Sequence, residues 1–332
     1  MTNTLDHAHP YNDLKPETVI DAVESLGILS DARIFPLNSY ENRVYQVGVE
    51  EGTPVIAKFY RPHRWSEDAI LEEHQYTWEL FDQELPVVPP IKDENGTTLH
   101  QYNGFHFSIF KRQGGHAPEL DNLNSLFLMG RYLGRMHAIG AKTQFKHRPT
   151  ITVDEWAIAS RAFLLENNFI PKDLIMAYDT LSQDLINKVQ TIWQQCPELN
   201  TFRIHGDCHG GNVLWRNDLP HFVDFDDCRN GPAIQDIWLL LSGDRQQRTG
   251  QLSEIVDGYN EFHNFDSSQI QLIEPLRTLR IMNYSAWLAK RWTDPAFPHH
   301  FPWFNTERYW AEHILELREQ LAILDEEPLK LY

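Results

Sequence analysis

The spacing of hydrophobic residues changes along the chain. KPETVIDAVESLG (15–27) reads as a helix, with Pro16 near its start and Gly27 at its end. RVYQVGV (43–49) and PVIAKFY (54–60) are short runs rich in β-branched and aromatic residues. The EEGT between them makes a strand–turn–strand pattern. SEDAILEEHQYTWELFDQE (66–84) returns to helical character, with Ser66 as N-cap and acids in its first turn, until the prolines of ELPVVPPI (84–91) break it. GFHFSIFKR (104–112) reads as a further strand.

After QGGH (113–116) the pattern turns helical. In NLNSLFLMGRYLGRMHAIG (122–140), Leu126, Met129, Leu133 and Met136 recur at the three-and-four spacing of a buried stripe. Residues 155–196 read as two further helices and TFRIHGD (201–207) as a strand. NVLW and HFVDF, flanking RNDLP, read as a β-hairpin. Helices return from about residue 233, interrupted by TDPAFPHHFPWF (293–304). The pattern predicts an α+β chain in two lobes: a small sheet-rich N-lobe over 1–112 and a larger, mainly helical C-lobe over 113–332. The boundary falls near Gly114 and Gly115.

The bulk properties narrow the function classes. A formal charge of −18 repels phosphate backbones and anionic membranes, so neither nucleic acid nor membrane is an expected partner. The most apolar run, IWLLL (237–241), is too short to span a bilayer, and MTNTLDHAHPYNDLKPE lacks the apolar core of a secretory signal. Three cysteines, Cys196, Cys208 and Cys228, with no CxxC spacing, argue against a disulfide framework and for a reducing compartment. The expectation is a cytoplasmic monomer.

HGDCHGGN (205–212) is too polar for core and suggests a loop whose side chains are used chemically. Phosphoryl transfer from ATP needs a carboxylate to accept the proton of the attacking hydroxyl, a lysine on the phosphates, and an Asn and an Asp on Mg2+. Asp207 stands five residues before Asn212, the spacing of base and metal ligand in kinase loops. Asp224, at the end of HFVD, is the second candidate metal ligand. Lys58 closes VIAK, close to the V-A-I-K strand pattern. Glu72 and Glu73 both lie on the next helix. Glu73 is favoured as partner of Lys58 because it shares a face with Ile70, Thr77 and Leu80. The period of two puts Ile56 on the strand face of Lys58, where it could touch adenine.

Taken in order, these motifs resemble the aminoglycoside phosphotransferase and choline kinase group, relatives of protein kinases. They are similar in particular to a bacterial family of stress-response serine/threonine protein kinases. The resemblance runs over nearly the whole chain: PLNSYENRVYQ (36–46), ILEEHQ (70–75), GRYLGRMH (130–137), HRPTI (147–151), HGDCHGGN, FVDFDDCRNGPAIQD (222–236) and RWTDPAFPHHFPW (291–303). It implies a bilobal protein kinase-like fold with ATP in the cleft. Asp207 would be the proton acceptor, Asn212 and Asp224 the Mg2+ ligands, and Ser39 would lie at the ATP phosphates. It also implies a protein Ser/Thr acceptor. NSYENR (38–43) stands where protein kinases carry a glycine-rich loop, and His205-Gly206 where they carry His-Arg. Six residues separate Asp224 from Gly231, none of them Ser or Thr, so no phosphorylation-controlled activation loop fits there.

Other readings stay beside these. Asp, Asn and Gly populate tight turns without any chemistry. His205, Cys208 and His209 are too close together to close a tetrahedral zinc site and are expected to brace the loop instead. Asp226 and Asp227 either assist the metal or cap the turn, and Asp236 is expected to bind the loop backbone. Cys208 and Cys228 flank the site, where inert packing is preferred to redox chemistry. The aromatic segment 292–304 is either a core cluster, which is preferred, or an acceptor wall. For the whole chain the alternatives are a kinase of a small amino alcohol, sugar or antibiotic, a non-catalytic nucleotide-binding scaffold, and an interaction protein without a nucleotide site.

Overall fold

The structure, a computed structural model, describes residues 11–196 and 199–332. Most of the N-terminal stretch read above for a secretory signal, residues 1–10, lies outside them. The chain divides into two compact units. The first comprises residues 1–116, 214–226 and 294–296; the second comprises 117–213, 227–293 and 297–332.

The first unit is built on a five-stranded antiparallel sheet. Helix α1 (Pro16–Glu24) precedes β1 (Ser30–Leu37), β2 (Arg43–Val49) and β3 (Val55–Phe59). Helix α2 (Glu67–Asp82) leads to β4 (His100–Tyr102) and β5 (Phe105–Lys111), and the strand order is β1-β2-β3-β5-β4. Side-chain alternation splits the sheet into two faces. Ala57, Phe59, Phe105, Phe107 and Ile109 pack with Val19, Ala22 and Val23 of α1 in one apolar cluster. The alternate residues, Ile56 and Lys58, turn to the opposite face. Helix α2 is capped by Ser66, whose hydroxyl accepts from the Ala69 N–H, and it buries Ile70, Glu73, Thr77 and Leu80.

The second unit is mainly helical. Helix α3 (Leu123–Gly140) is followed by a π-helical turn (Asp154–Ile158), α4 (Ala159–Glu166), α5 (Ile175–Gln194) and β6 (Phe202–Ile204). The hairpin β7 (Val213–Arg216) and β8 (Leu219–Phe222) comes next. Most of it belongs to the first unit, where the Phe222 N–H donates to the carbonyl of Pro86 at 2.8 Å. Strand β9 (Arg229–Gly231) then pairs with β6. The chain ends with α6 (Ile234–Trp238), α7 (Arg245–Asn260), α8 (Ile273–Lys290), α9 (Ala296–His300) and α10 (Glu307–Ile323). Among the described residues, no helix is long and apolar enough to cross a membrane.

The expected elements appear with shifts of one to three residues at their ends, but the hairpin differs. Its turn is Asn217-Asp218, both at positive φ, and β8 stops at Phe222. The expected second arm, HFVDF, therefore leaves the sheet before Asp224. Strand β1 carries no readable alternation. It is an edge strand with a register shift between Ser30 and Ile34, and five of its eight residues are exposed, with only Ser30 buried. In the 292–304 segment, Phe297, Phe301 and Phe304 are core, while Trp303 remains 45% exposed.

Helices α3 and α7 approach closely because of glycines. A Cβ on Gly130 would lie 2.0 Å from the carbonyl oxygen of Ile255, and one on Gly134 would lie 2.4 Å from that of Tyr259. GRYLGRMH is thus a packing motif as well as a helix. Gly130→Val should force the helices apart and lower stability by on the order of 2 kcal/mol, read by urea denaturation. Gly250→Ala, in α7 with open space around the new methyl, should raise stability by about 0.5–1 kcal/mol. Equal effects of the two substitutions would contradict this packing.

Candidate active site

The first unit gathers acids around one buried lysine. Lys58 is 6% exposed. Its ammonium lies 3.4 Å from Glu73 Oε1, 3.4 Å from Asp224 Oδ1 and 3.1 Å from Asp226 Oδ1. Strand β3, helix α2 and the segment after β8 each supply one side of this cluster. Glu73, not Glu72, faces the lysine. Burial disfavours the ammonium, but Asp226, Glu73 and Asp224 outweigh it and hold the lysine pKa well above its ordinary value. Arg64 Nη1 donates to the other oxygen of Asp226.

Asp224 differs from its neighbours. Its side chain is 58% exposed, and its backbone sits at φ 59°, in the left-handed region that Asp tolerates better than most residues. It is therefore the one acid of the cluster that presents a carboxylate to solvent. Ile56 is half-buried on the same strand face as Lys58. Ser39, in the β1–β2 connection, donates its hydroxyl proton to the carbonyl of Asn42 at 3.1 Å. Any contact of that proton with a phosphate would need the hydroxyl to be re-aimed.

The second unit holds the 205–212 loop. Its anchor is Asp236, fully buried at the start of α6. One carboxylate oxygen accepts from the His205 N–H at 2.8 Å and lies 3.0 Å from His137 Nε2; the other accepts from the Gly206 N–H at 2.8 Å. Gly206 has φ +85°, and a Cβ there would fall 2.3 Å from the carbonyl oxygen of Asp227, so the turn accepts only glycine. Asp236 thus binds the loop backbone, as its position suggested.

This clamp fixes the start of the loop and so aims Asp207. Asp207 Oδ1 accepts from Arg280 Nη1 at 2.7 Å, and Oδ2 lies 3.5 Å from His209 Nε2. The Asn212 amide donates to the carbonyl of Asp207 at 3.0 Å. That bond orients the carboxamide and leaves its oxygen without a protein partner among the described residues. His209 Nδ1 accepts from the Gly211 N–H at 2.9 Å, so this histidine braces the loop. Asp227 pairs with Arg229 at 3.0 Å. Cys196, Cys208 and Cys228 are all buried, free thiols, and burial holds the Cys208 thiol well above its ordinary pKa, which favours inert packing.

Each unit by itself offers a donor that suits a hard divalent cation: an exposed carboxylate on Asp224 in the first, an oriented amide oxygen on Asn212 in the second. Around Lys58, three acids face one lysine and one arginine, so the local charge remains negative. Among the described residues, no group of three or more His, Cys, Asp or Glu is arranged to hold a metal. A cation held by Asp224 or Asn212 must therefore draw most of its ligands from phosphate oxygens and water, as Mg2+ does. Sequence reasoning missed Arg280, Arg64 and the contact of Asp226 with Lys58. No local motif marks Arg280, which lies 73 residues from Asp207.

Burial alone would raise the Asp207 pKa. The hydrogen bond from His209 and the charge of Arg280 more than reverse this and bring it to about 2, from an ordinary 3.8. A depressed carboxyl pKa stabilises the fold above the ordinary value, by about 2 kcal/mol, and this is lost as pH falls from 3.8 toward 2. The Asp207 carboxyl carbon should accordingly read as fully ionised by NMR at pH 3.8, and Arg280→Met should move its midpoint upward. A half-protonated signal in the wild type at that pH would contradict the assignment of these contacts.

Comparison with known proteins extends this geometry. The model of the phosphotransferase enzyme family matches residues 33–272. A stress response kinase A from Shigella flexneri is 47% identical, over 98% of each chain. A serine/threonine protein kinase of Salmonella typhimurium is 46% identical over the same shares. Among solved structures, an amicoumacin kinase in complex with AMP-PNP and Ca2+ superposes with a TM-score of 0.71 at 20% identity, covering 95% of this chain and 94% of that one. A choline kinase from Cryptosporidium parvum does so with a TM-score of 0.58 at 12% identity, covering 93% and 96%. These two share the kinase-like fold: a sheet-bearing first part and a helical second part. The buried lysine with its acids, the loop clamped by Asp236 and the match over most of the chain agree, and the chain belongs to the phosphotransferase enzyme family.

Proposed function

We propose that this protein transfers the γ-phosphate of ATP to the hydroxyl of Ser or Thr in protein substrates, in the cytoplasm and as part of a stress response. The observation that carries the reaction is the buried Lys58–Glu73 pair with Asp224 beside it, in a chain whose loop presents Asp207 and Asn212 at kinase spacing. The protein acceptor is supported by the full-length similarity to a named serine/threonine protein kinase.

In this reading Lys58 holds the phosphates, with Glu73 fixing the direction of its ammonium. Ile56 lies against the adenine, and Ser39 reaches the phosphates once its hydroxyl turns from Asn42. Asp207 orients the acceptor hydroxyl and takes its proton. Asn212 and Asp224 hold Mg2+, which when bound neutralises charge on the phosphate oxygens. The chain ties the two sets together covalently, because Asn212 is followed at once by the hairpin that leads to Asp224. A carboxylate with a pKa near 2 is a weak base. It suits a loose transition state, in which the hydroxyl proton leaves late and positioning does most of the catalysis.

A second reading, a kinase of a small amino alcohol, sugar or antibiotic, is favoured by the solved neighbours, whose acceptors are small molecules by name. Labelled ATP and cell extract separate the two: label in protein is expected, and label confined to metabolites would overturn the protein acceptor. Asp207→Asn should reduce phosphotransfer by at least about 1000-fold while the protein stays folded, its melting temperature lowered only by the loss of the charged contacts to Arg280 and His209. Asp224→Ala should weaken both Mg2+ dependence and ATP binding. Near-wild-type turnover in Asp207→Asn would mean the base is misassigned. Mg–ATP binding without turnover on any acceptor would favour a non-catalytic scaffold.

A further inference from the structure

In the phosphotransferase reading Lys58 meets two demands. It is buried among Glu73, Asp224 and Asp226, and it must also turn to the phosphates of ATP. Asp224 is exposed, so water or a cation can reach it whenever the ammonium turns away. Asp226 is buried, and water cannot take the place of its cation. Its Oδ1 lies 3.1 Å from the ammonium, and a buried carboxylate that loses its cation is strongly destabilising. The lysine is therefore free to serve the nucleotide only where another cation holds Asp226.

The turn after β3 supplies that cation. Arg64 Nη1 donates to Asp226 Oδ2, the second carboxylate oxygen. The Arg64 N–H closes the turn on the carbonyl of Arg61 at 3.2 Å, with His63 at φ 65°. Both arginines then reach Glu41 Oε1, which lies 3.5 Å from Arg61 Nε and 3.8 Å from Arg64 Nε. Glu41 is buried in the β1–β2 connection, where the Tyr11 hydroxyl donates to its carbonyl at 3.1 Å. Arg61 pairs with the buried Asp294 at 2.7 Å and donates its backbone N–H to Asn42 Oδ1 at 3.1 Å. Glu41 thus holds one side of the Arg64 guanidinium and Asp226 another. The side chains of Arg64 and Asp226 are both largely shielded from water, so salt screens their attraction little. All of these residues lie in the first unit.

We propose that Arg64 is a positioning residue for nucleotide binding: it keeps Asp226 paired while Lys58 turns to the phosphates. The inference rests on the phosphotransferase reading. Arg64 acts through Asp226 and not by touching the nucleotide. A planar guanidinium spans two carboxylates at once, which an ammonium on a flexible stem does not. Without Arg64, Asp226 draws on Lys58, and ATP must break that pair to bind. The loss therefore falls on nucleotide affinity and passes through one carboxylate. An arginine that only braced the fold would act without regard to the charge on Asp226.

The test titrates the full chain, with Mg2+ present, with the non-hydrolysable ATP analogue AMP-PNP and reads the affinity by calorimetry. Arg64→Met is compared with wild type, and Arg64→Met/Asp226→Asn with Asp226→Asn. On the wild-type background, loss of the arginine should weaken binding by at least about tenfold. On the Asp226→Asn background, where position 226 has no charge to strand, the same loss should weaken it by less than about threefold. Thermal melting of each variant checks the fold. Unchanged affinity in Arg64→Met, or an equal loss on both backgrounds, would overturn the inference and leave the phosphotransferase reading standing. Should Arg64→Met not fold, the Asp226→Asn background decides: a loss under about threefold supports the inference, and a loss of about tenfold overturns it. Wild type that binds no AMP-PNP with Mg2+ overturns the phosphotransferase reading, and the inference with it.

Discussion

An ammonium buried in protein must be paired, or the fold pays for its desolvation. Lys58 satisfies that demand with three acids from three parts of the chain, Glu73 on α2 and Asp224 and Asp226 after β8. The sheet, the helix and the hairpin segment of the first unit are thereby referred to one point. Two of the acids, Glu73 and Asp226, are buried and serve the lysine. Asp224 is the exception, exposed and held at a backbone angle that few residues adopt. The cluster carries more negative charge than it needs to neutralise Lys58, and Asp224 is the one carboxylate of the three that solvent can reach.

The second unit solves a related problem with one buried acid. Asp236 satisfies two consecutive backbone N–H groups and faces His137, all from a position with no exposure. A carboxylate that accepts several N–H bonds is comfortable in the interior, and the groups it binds lose their freedom. The loop is therefore rigid where it leaves β6. The side chains of Asp207 and Asn212 are aimed by contacts made behind them. Arg280 adds the remaining constraint from α8, and its charge, with the hydrogen bond from His209, holds the Asp207 carboxyl below its ordinary pKa.

The legible parts of the chain were those whose signal is local. Period and caps placed α2 and α3; the stripe Leu126, Met129, Leu133 and Met136 is wholly buried. Lys58, Asp207 and Asn212 drew notice because they stand in short local patterns, VIAK and the five-residue Asp–Asn spacing, and Asp224 because it closes HFVD. The preference for Glu73 over Glu72 followed from helix geometry, and its face is the buried one. Strand β1 was silent because an edge strand with Pro36 and a register shift buries almost nothing in alternation. Arg280 and Arg64 were silent for another reason: a lone arginine acquires meaning only from what folding sets beside it. The aromatic 292–304 segment carried two meanings at once, since three phenylalanines serve the core and Trp303 faces a hollow.

The most direct measurement is a crystal structure of the protein with Mg2+ and a non-hydrolysable ATP analogue. The account predicts one Mg2+ bound at about 2.1 Å by the amide oxygen of Asn212 and a carboxylate oxygen of Asp224, with the Lys58 ammonium on the same nucleotide's phosphates. Nucleotide bound away from Lys58, or metal held by neither Asn212 nor Asp224, would contradict it.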